Sequence, residues 1–155
     1  MSDPGHIDPR RARLAARWLT AVGAAMLVVA AIHLAITPIL RRVILVNVLA
    51  PRELGIVEGP FLLNHVVVGI LLIPLGLTTI YAAAALRAGA EWAWMVAVLN
   101  AVGMLGMPLA LLAFTRVSSM NAPPFLVAAS LVTLAAVSTV IVLWWARPRR
   151  AATGR

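Results

Sequence analysis

The chain has 155 residues, of which 63% are hydrophobic and 12% are charged, and it carries a net charge of +8. A soluble domain is about one quarter charged and near half apolar, so this chain has too little polar surface to cover a water-facing globule, and lipid is its expected solvent. The sequence contains no cysteine, which excludes disulfides, thiolate metal sites and cysteine nucleophiles.

The positive charge is carried by arginine alone, and it is grouped beside the apolar segments. Nine of the thirteen arginines lie in the first 17 residues, in the last nine residues or at Arg87. Clustered basic residues also occur in nucleic-acid-binding proteins. Charges placed just outside apolar runs, however, are typical of membrane topology signals and of contacts with anionic headgroups. We therefore expect membrane lipids, and no nucleic acid, among the partners.

The first predicted membrane span is residues 18–40. It follows a basic cytoplasmic segment at 1–17, which we expect to be a short disordered lead and then a basic helix start. Its 23 residues suffice to cross a hydrocarbon core about 30 Å thick at roughly 1.5 Å per helical residue. The apolar run is also longer than that of a typical signal peptide. His33 is its one ionisable residue, and Pro38 is expected to kink or end the helix.

Residues 41–59 are predicted to be an interfacial segment on the membrane surface, because they are too apolar for a solvated loop. The second span is predicted at 60–86. Pro60 would occupy its first turn, and the carboxylate of Glu58, just before it, would favour the positive helix end. Pro74 lies in the middle of this span and leaves one backbone carbonyl without its usual partner.

Two further spans are predicted at 92–115 and 125–146, and a basic cytoplasmic tail follows at 147–155. The third span contains no ionisable side chain after its start. Four of its residues share one helical face because they are spaced at i, i+3, i+4 and i+7; they are Asn100, Gly103, Met104 and Met107.

The predicted fold is therefore an all-α integral membrane four-helix bundle in up-down-up-down order. The side with both termini and Arg87 carries nine arginines and the other side carries four, so the positive-inside rule places both termini in the cytoplasm. The use of arginine instead of lysine, with abundant alanine, hints at a bacterial protein, and we expect the inner membrane. The tryptophans should form an aromatic belt at the cytoplasmic interface; they are Trp18, Trp92, Trp94, Trp144 and Trp145.

His33 and His65 are the two ionisable side chains deep inside predicted spans. They lie on consecutive antiparallel helices, each roughly 8–10 Å below the outer boundary of the membrane by helical rise. An ionisable group inside lipid is a functional hypothesis by default. The alternative is that each neutral imidazole bonds a helix carbonyl and only contributes to packing.

Glycines mark the helical face on which His65 lies. Gly69 and Gly76 follow His65 at i+4 and i+11, which places them on its side of the helix. Small residues are typical of places where membrane helices approach closely. We therefore expect His65 to point into the bundle, with Glu58 on the same face and Asn64 beside it.

The leading functional hypothesis is a polar pocket in the outer leaflet that binds or isomerises a small lipophilic molecule. His33 and His65 would be the catalytic acid–base pair, because imidazole exchanges protons near neutral pH. The supporting ligand-binding residues would be Glu58, Asn64, Asn100, Met104 and Met107.

Two other classes of protein remain open from the sequence. One is an accessory subunit of a larger membrane complex, or a homo-oligomer. The other is a metalloprotein, in which His33 and His65 bind a b-type haem, or bind copper with Met104 and Met107. Methionines are more often core filler. The chain contains no hydrolase elbow, Walker loop, dinucleotide fingerprint or HExxH motif, so neither the cofactor nor an enzymatic reaction is indicated.

Overall fold

The computed structural model describes residues 8–40, 42, 51–114 and 123–148, and this part of the chain is almost entirely helical, without a strand. Four long helices follow one another along the chain. They are α1 (Pro9–Ile39), α2 (Pro51–Arg87), α3 (Glu91–Phe114) and α4 (Pro123–Trp145). The expected all-α class and the expected number of helices are confirmed.

Helix α1 begins at Pro9, nine residues before the predicted span, because its first turn is well capped. Oδ1 of Asp8 accepts hydrogen bonds from the backbone N–H groups of Arg10 at 2.8 Å and Arg11 at 3.4 Å. Pro9 has no N–H and occupies the first helical position, where none is needed. Residues 9–17, which belong to the predicted basic segment at 1–17, are therefore the first turns of α1.

Helix α2 also begins earlier than expected, at Pro51, and Pro60 and Pro74 both lie inside it. Pro51 and Pro60 are equally suited to a first helical turn, and the helix starts at the earlier one. Glu58 is consequently a residue within α2 and does not precede a helix start. Of the expected interfacial segment, residues 41 and 43–50 lie outside the described part of the chain.

The connection from α2 to α3 is a tight turn. Gly89 has a φ of 83°, a left-handed conformation that glycine adopts without steric cost. The N–H of Ala90 donates to the carbonyl of Ala85 at 3.0 Å, and the N–H of Gly89 donates to that of Leu86 at 3.1 Å. These bonds satisfy carbonyls at the end of α2 and let α3 begin at Glu91.

Three of the helical segments are long and apolar enough to cross a membrane, and a shorter apolar one follows. The three are Pro9–Ile39, Gly55–Arg87 and Glu91–Ala110, and the shorter one is Ala129–Trp145. Their outer faces remain apolar, with Ile56 exposed to 71% and others above 60%. Apolar surface of this extent is unfavourable in water and is compatible with a multi-pass membrane protein.

The chain divides into two compact units. The first, called here the terminal unit, comprises Met1–Val22 and Thr79–Arg155, and the second, called the hairpin unit, comprises Gly23–Thr78. The terminal unit thus contains the start of α1, the end of α2, and both α3 and α4. The hairpin unit contains the remaining parts of α1 and α2.

The core of the terminal unit is built mainly from alanine. Leu19, Leu86 and Leu143 are its fully buried large apolar side chains. Small side chains allow helix backbones to approach closely, which is how membrane helices gain van der Waals contact without a hydrophobic driving force. The buried alanines of this cluster are Ala12, Ala15, Ala16, Ala82, Ala83, Ala93, Ala97, Ala101 and Ala146.

Hydrogen bonds across the terminal unit show the directions of its helices. Near the start of α3, Nε1–H of Trp94 donates to the carbonyl of Leu143 near the end of α4, at 2.8 Å. In the first half of α1, Nε1–H of Trp18 donates to Oγ1 of Thr139 at 3.0 Å. Both α1 and α3 therefore run antiparallel to α4, as an up-down-up-down order requires.

Candidate functional site: the histidine pair of the hairpin unit

In the hairpin unit, α1 and α2 run antiparallel and approach each other closely at two glycines of α2. A Cβ atom added to Gly76 would lie 2.9 Å from the carbonyl oxygen of Gly23, and one added to Gly69 would lie 3.2 Å from Cβ of His33. At Gly76 a side chain would press on the backbone of α1, and at Gly69 it would fit only if its neighbours shifted; glycines are typical of such close approaches between membrane helices. The face of α2 that carries both glycines and His65 therefore points at α1, as the spacing of these residues predicts.

The imidazole rings of His33 and His65 stack on each other. Their centroids are 4.5 Å apart and their planes differ by 21°. The expected contact between the two rings is thus present, and it follows from their matched depth in an antiparallel helix pair. Phe61, one helical turn before His65, places a third nearly parallel ring 6.3 Å from it. The spacing of i and i+4 could have indicated Phe61 from the sequence.

The ring of His33 is oriented by its own helix. Nδ1 of His33 lies 3.0 Å from the carbonyl oxygen of Val29. A carbonyl can only accept a hydrogen bond, so Nδ1 carries the proton, and Nε2 of the neutral ring keeps its lone pair. The carbonyl of His33 in turn accepts a hydrogen bond from the hydroxyl of Thr37 at 2.7 Å. The ring of His33 is therefore oriented by its own helix, with Nδ1 as the donor to Val29; in the neutral form of the ring, Nε2 is the nitrogen that accepts a proton.

Nε2 of His65 is buried, and no atom of the described chain lies in hydrogen-bonding geometry to it. The backbone of His33 also interacts with the ring of His65, and its carbonyl, which has two lone pairs, accepts the hydrogen bond from Thr37 as well. A buried polar atom without a partner costs about 1–3 kcal/mol, so such atoms are rare and call for an explanation. The ring of His65 therefore offers a buried nitrogen without a hydrogen-bond partner, beside a second imidazole, to which a polar group of a ligand can bind.

The two polar residues expected to support the pair lie on the same helix as His65. Glu58 is half-buried in α2, one turn before Leu62, and it interacts with other groups. Asn64 is exposed, as its position beside the face of His65 predicts.

The other expected ligand-binding residues belong to the terminal unit. The amide of Asn100 donates through Nδ2 to Oγ1 of Thr79 at 3.0 Å. Met104 is half-buried, and the side chain of Met107 lies outside the described part of the structure. The contacts that the structure describes therefore join His33 to His65 and Asn100 to Thr79, in two different units.

The geometry of the pair argues against a haem held between the two histidines. Axial histidines bind iron from opposite faces of the macrocycle, whereas these rings face each other at 4.5 Å and leave no room for it. Among the described residues, no group of three or more histidine, cysteine, aspartate or glutamate side chains could hold a metal ion.

No protein-family model matches this sequence, and no curated protein or solved structure is significantly similar to it. The interpretation of the histidine pair therefore depends on its own geometry. That geometry comprises a stacked imidazole pair, one proton-accepting nitrogen on His33 and one buried, unpartnered nitrogen on His65.

Proposed function

We propose that this protein is a multi-pass protein of a bacterial inner membrane that binds a small lipophilic molecule at its histidine pair and isomerises it by acid–base chemistry. The observation that supports this most directly is the buried, unpartnered Nε2 of His65 in contact with a second imidazole. One hydroxyl or carbonyl group of a ligand would supply the missing hydrogen bond and remove its cost.

The two rings together offer a base and an acid. The lone pair on Nε2 of His33 accepts a proton, because its Nδ1–H is committed to Val29. In an isomerisation, one imidazole removes a proton from one atom of the ligand, and a proton is returned to another atom of the same molecule. The net composition is unchanged, so no oxidant, reductant or further reactant is needed.

The surroundings of the pair favour a ligand with an apolar body. Ile32, directly before His33, is 54% exposed, and Leu63, two residues before His65, is 65% exposed. In a bilayer these side chains face lipid, so a molecule dissolved in the membrane reaches the pair without crossing water. Small-molecule sites typically combine an apolar lining with a few polar groups that fix orientation.

The proposed orientation places both termini in the cytoplasm and the histidine pair in the outer leaflet. It is supported by the excess of arginines on the side of the termini, nine against four on the other side. Exposed Arg42 and Arg52 then lie on the outer side, near the two ends of the connection between α1 and α2.

Mass spectrometry of the purified protein tests the proposal, with His65→Phe as the central variant. Phenylalanine keeps a flat ring beside His33 but removes the unpartnered nitrogen. We expect the wild type to retain a lipophilic molecule that His65→Phe and His33→Ala both lose. The double variant should lose no more than either single one, because members of one functional unit are non-additive.

Asn64→Ala is the matched control, since it changes an exposed neighbour of His65 and should retain the molecule. Equal retention by wild type and His65→Phe would overturn the proposed site.

A subunit of a larger membrane complex, or a homo-oligomer, is the second candidate, and open glycines on the surface favour it. A Cβ atom at Gly55, Gly59, Gly103 or Gly106 would meet nothing within 4 Å, and small exposed residues are typical of helix–helix contacts. Partners that co-purify with the wild type but not with Gly59→Leu would support this candidate.

A further inference from the structure

We propose that one end of the terminal unit is a binding surface for the headgroups of anionic phospholipids. This surface, called here the basic end, is formed where α1 begins and where α2 and α4 end. The three helix ends share one buried cluster, to which Ala12, Leu86 and Ala146 contribute, so they lie together. The inference rests on insertion of the helices into a membrane, but not on the role of the histidine pair.

The basic end concentrates positive charge. Within the described residues, six arginines belong to these helix ends, whereas Asp8 and Glu91 are the two carboxylates there. Five of the six arginines are exposed. The six are Arg10, Arg11, Arg13, Arg17, Arg87 and Arg147.

Two of these arginines are held against exposed tryptophans at the end of α4. The guanidinium of Arg11 lies 4.8 Å from the ring centroid of Trp145 and also donates to the carbonyl of Trp145 at 3.1 Å. The guanidinium of Arg147 lies 4.6 Å from the ring centroid of Trp144. Trp144 and Trp145 are 64% and 43% exposed. Tryptophan is enriched at the headgroup level of bilayers, so these stacks hold the cations where phosphates lie.

The neighbouring surface favours a lipid over a soluble anion or a nucleic acid. Next to exposed Arg13 and Arg17, the side chains of Leu14 and Trp18 are 46% and 37% exposed. A phospholipid meets the arginines with its phosphate and the apolar side chains with its acyl chains. Free phosphate or a nucleic acid would leave those apolar side chains uncovered.

Quenching of tryptophan fluorescence tests the proposal, because all five tryptophans belong to the terminal unit. The full chain in neutral detergent is mixed with brominated phosphatidylglycerol or brominated phosphatidylcholine. We expect tighter binding of the anionic lipid, with a preference that falls as salt is added. Each arginine near the surface contributes up to roughly a fivefold preference, so Arg13→Gln/Arg17→Gln should lower it by about tenfold.

The matched control is Arg42→Gln/Arg52→Gln, which removes the same charge from two exposed residues that the proposed orientation assigns to the opposite side of the membrane. It should leave the preference within about twofold, since the surface attraction acts only near the charge. The proposed lipid-binding role of the basic end would be overturned by an equal loss of anionic-lipid preference in the two double variants. Equal quenching of the wild type by both lipids would overturn it too. If a variant fails to fold, the salt titration of the wild type still measures whether the lipid preference depends on charge. A preference that does not change with salt overturns the proposal.

Two competitors identify the source of the negative charge. Inorganic phosphate and a short duplex DNA, each added to the wild type with brominated phosphatidylglycerol, should leave the quenching unchanged at moderate salt. Displacement by phosphate would show a site for a free anion, and displacement by DNA would show a nucleic-acid surface; either result overturns the proposal. Absence of quenching by both lipids also overturns the proposal, because neither headgroup then binds near the tryptophans.

Discussion

Among single residues, the glycines of α2 differ in what surrounds them, and this leads to a graded prediction. Gly76→Ala would bring its Cβ atom to 2.9 Å from a backbone oxygen of α1, whereas Gly69→Ala would meet mainly the side chain of Leu34 at 3.0 Å. A side chain can move more easily than a backbone. We expect Gly76→Ala to destabilise the protein by about 1–3 kcal/mol and Gly69→Ala by less, measured by thermal unfolding in detergent.

Gly55→Ala in the same helix is the control. Its Cβ atom would meet nothing within 4 Å, and alanine is favoured over glycine in a helix by about 0.5–1 kcal/mol. The variant should therefore be neutral or slightly more stable. Equal stability of the Gly76 and Gly55 variants would mean that the two helices of the hairpin unit do not pack through this face.

The unpartnered nitrogen of His65 gives a second prediction for a single residue. In protein from which bound molecules have been removed, His65→Phe should raise the free energy of unfolding by about 1–3 kcal/mol, since a buried polar atom without a partner is replaced by apolar carbon. His33→Phe should bring no such gain, because it loses the hydrogen bond to Val29. Chemical unfolding of both variants measures the difference, and a gain of equal size in both would contradict the prediction.

At the scale of helices, the start of α1 should depend on pH through Asp8. The hydrogen bond from the backbone N–H of Arg10 is the main cause that holds the pKa of the Asp8 carboxyl below its usual value. A lowered pKa in the folded state means that the cap stabilises the helix above the usual pKa of aspartate, near 3.9, and that this contribution is lost as the pH falls through the folded value.

NMR chemical shifts of the Arg10 and Arg11 amides should therefore report fraying of the first turn in acid. Asp8→Asn keeps a capping oxygen but cannot titrate, so its first turn should remain folded at the same pH. Identical acid titrations of the two proteins would show that the carboxyl does not cap the helix.

The helix starts also show which features of the fold can be predicted from the sequence. Apolar length predicts that four helices exist, but it does not locate α1 at Pro9 or α2 at Pro51, because both helices extend beyond their apolar runs. The cap formed by Asp8 and Pro9 was visible in the sequence as a helix-start signal. The choice between Pro51 and Pro60 was not, because both prolines suit a first turn.

The histidine site likewise has features that the sequence predicts and features that it does not. Counting residues from the helix ends predicts that His33 and His65 lie at one depth, and the glycines predict the face of His65. The unpartnered nitrogen depends on how the ring of His65 is turned and on which atoms surround it, and these follow from atomic contacts such as its stacking on the ring of His33. Spacing in the sequence does not specify these contacts.

For the whole molecule, the proposed orientation can be tested through the absence of cysteine from the chain. A single introduced cysteine is then the unique target for a membrane-impermeant maleimide. Arg42→Cys should be labelled in intact cells, and Ala88→Cys, in the turn that follows α2, should be labelled only after the membrane is opened. Both positions are exposed. The reverse labelling pattern would place the termini outside and the histidine pair in the inner leaflet.

Because its core is built from alanine, the terminal unit should tolerate smaller side chains in the core better than larger ones. Alanine carries a single methyl group, so replacement by glycine removes little packing volume at Ala97, Ala101 or Ala136, each at most 1% exposed. Almost every other replacement adds atoms where the helices already touch. Random mutagenesis of this unit should therefore recover small residues at these positions and few larger ones. A soluble core rich in leucine shows the opposite bias, since truncation is its commonest damage.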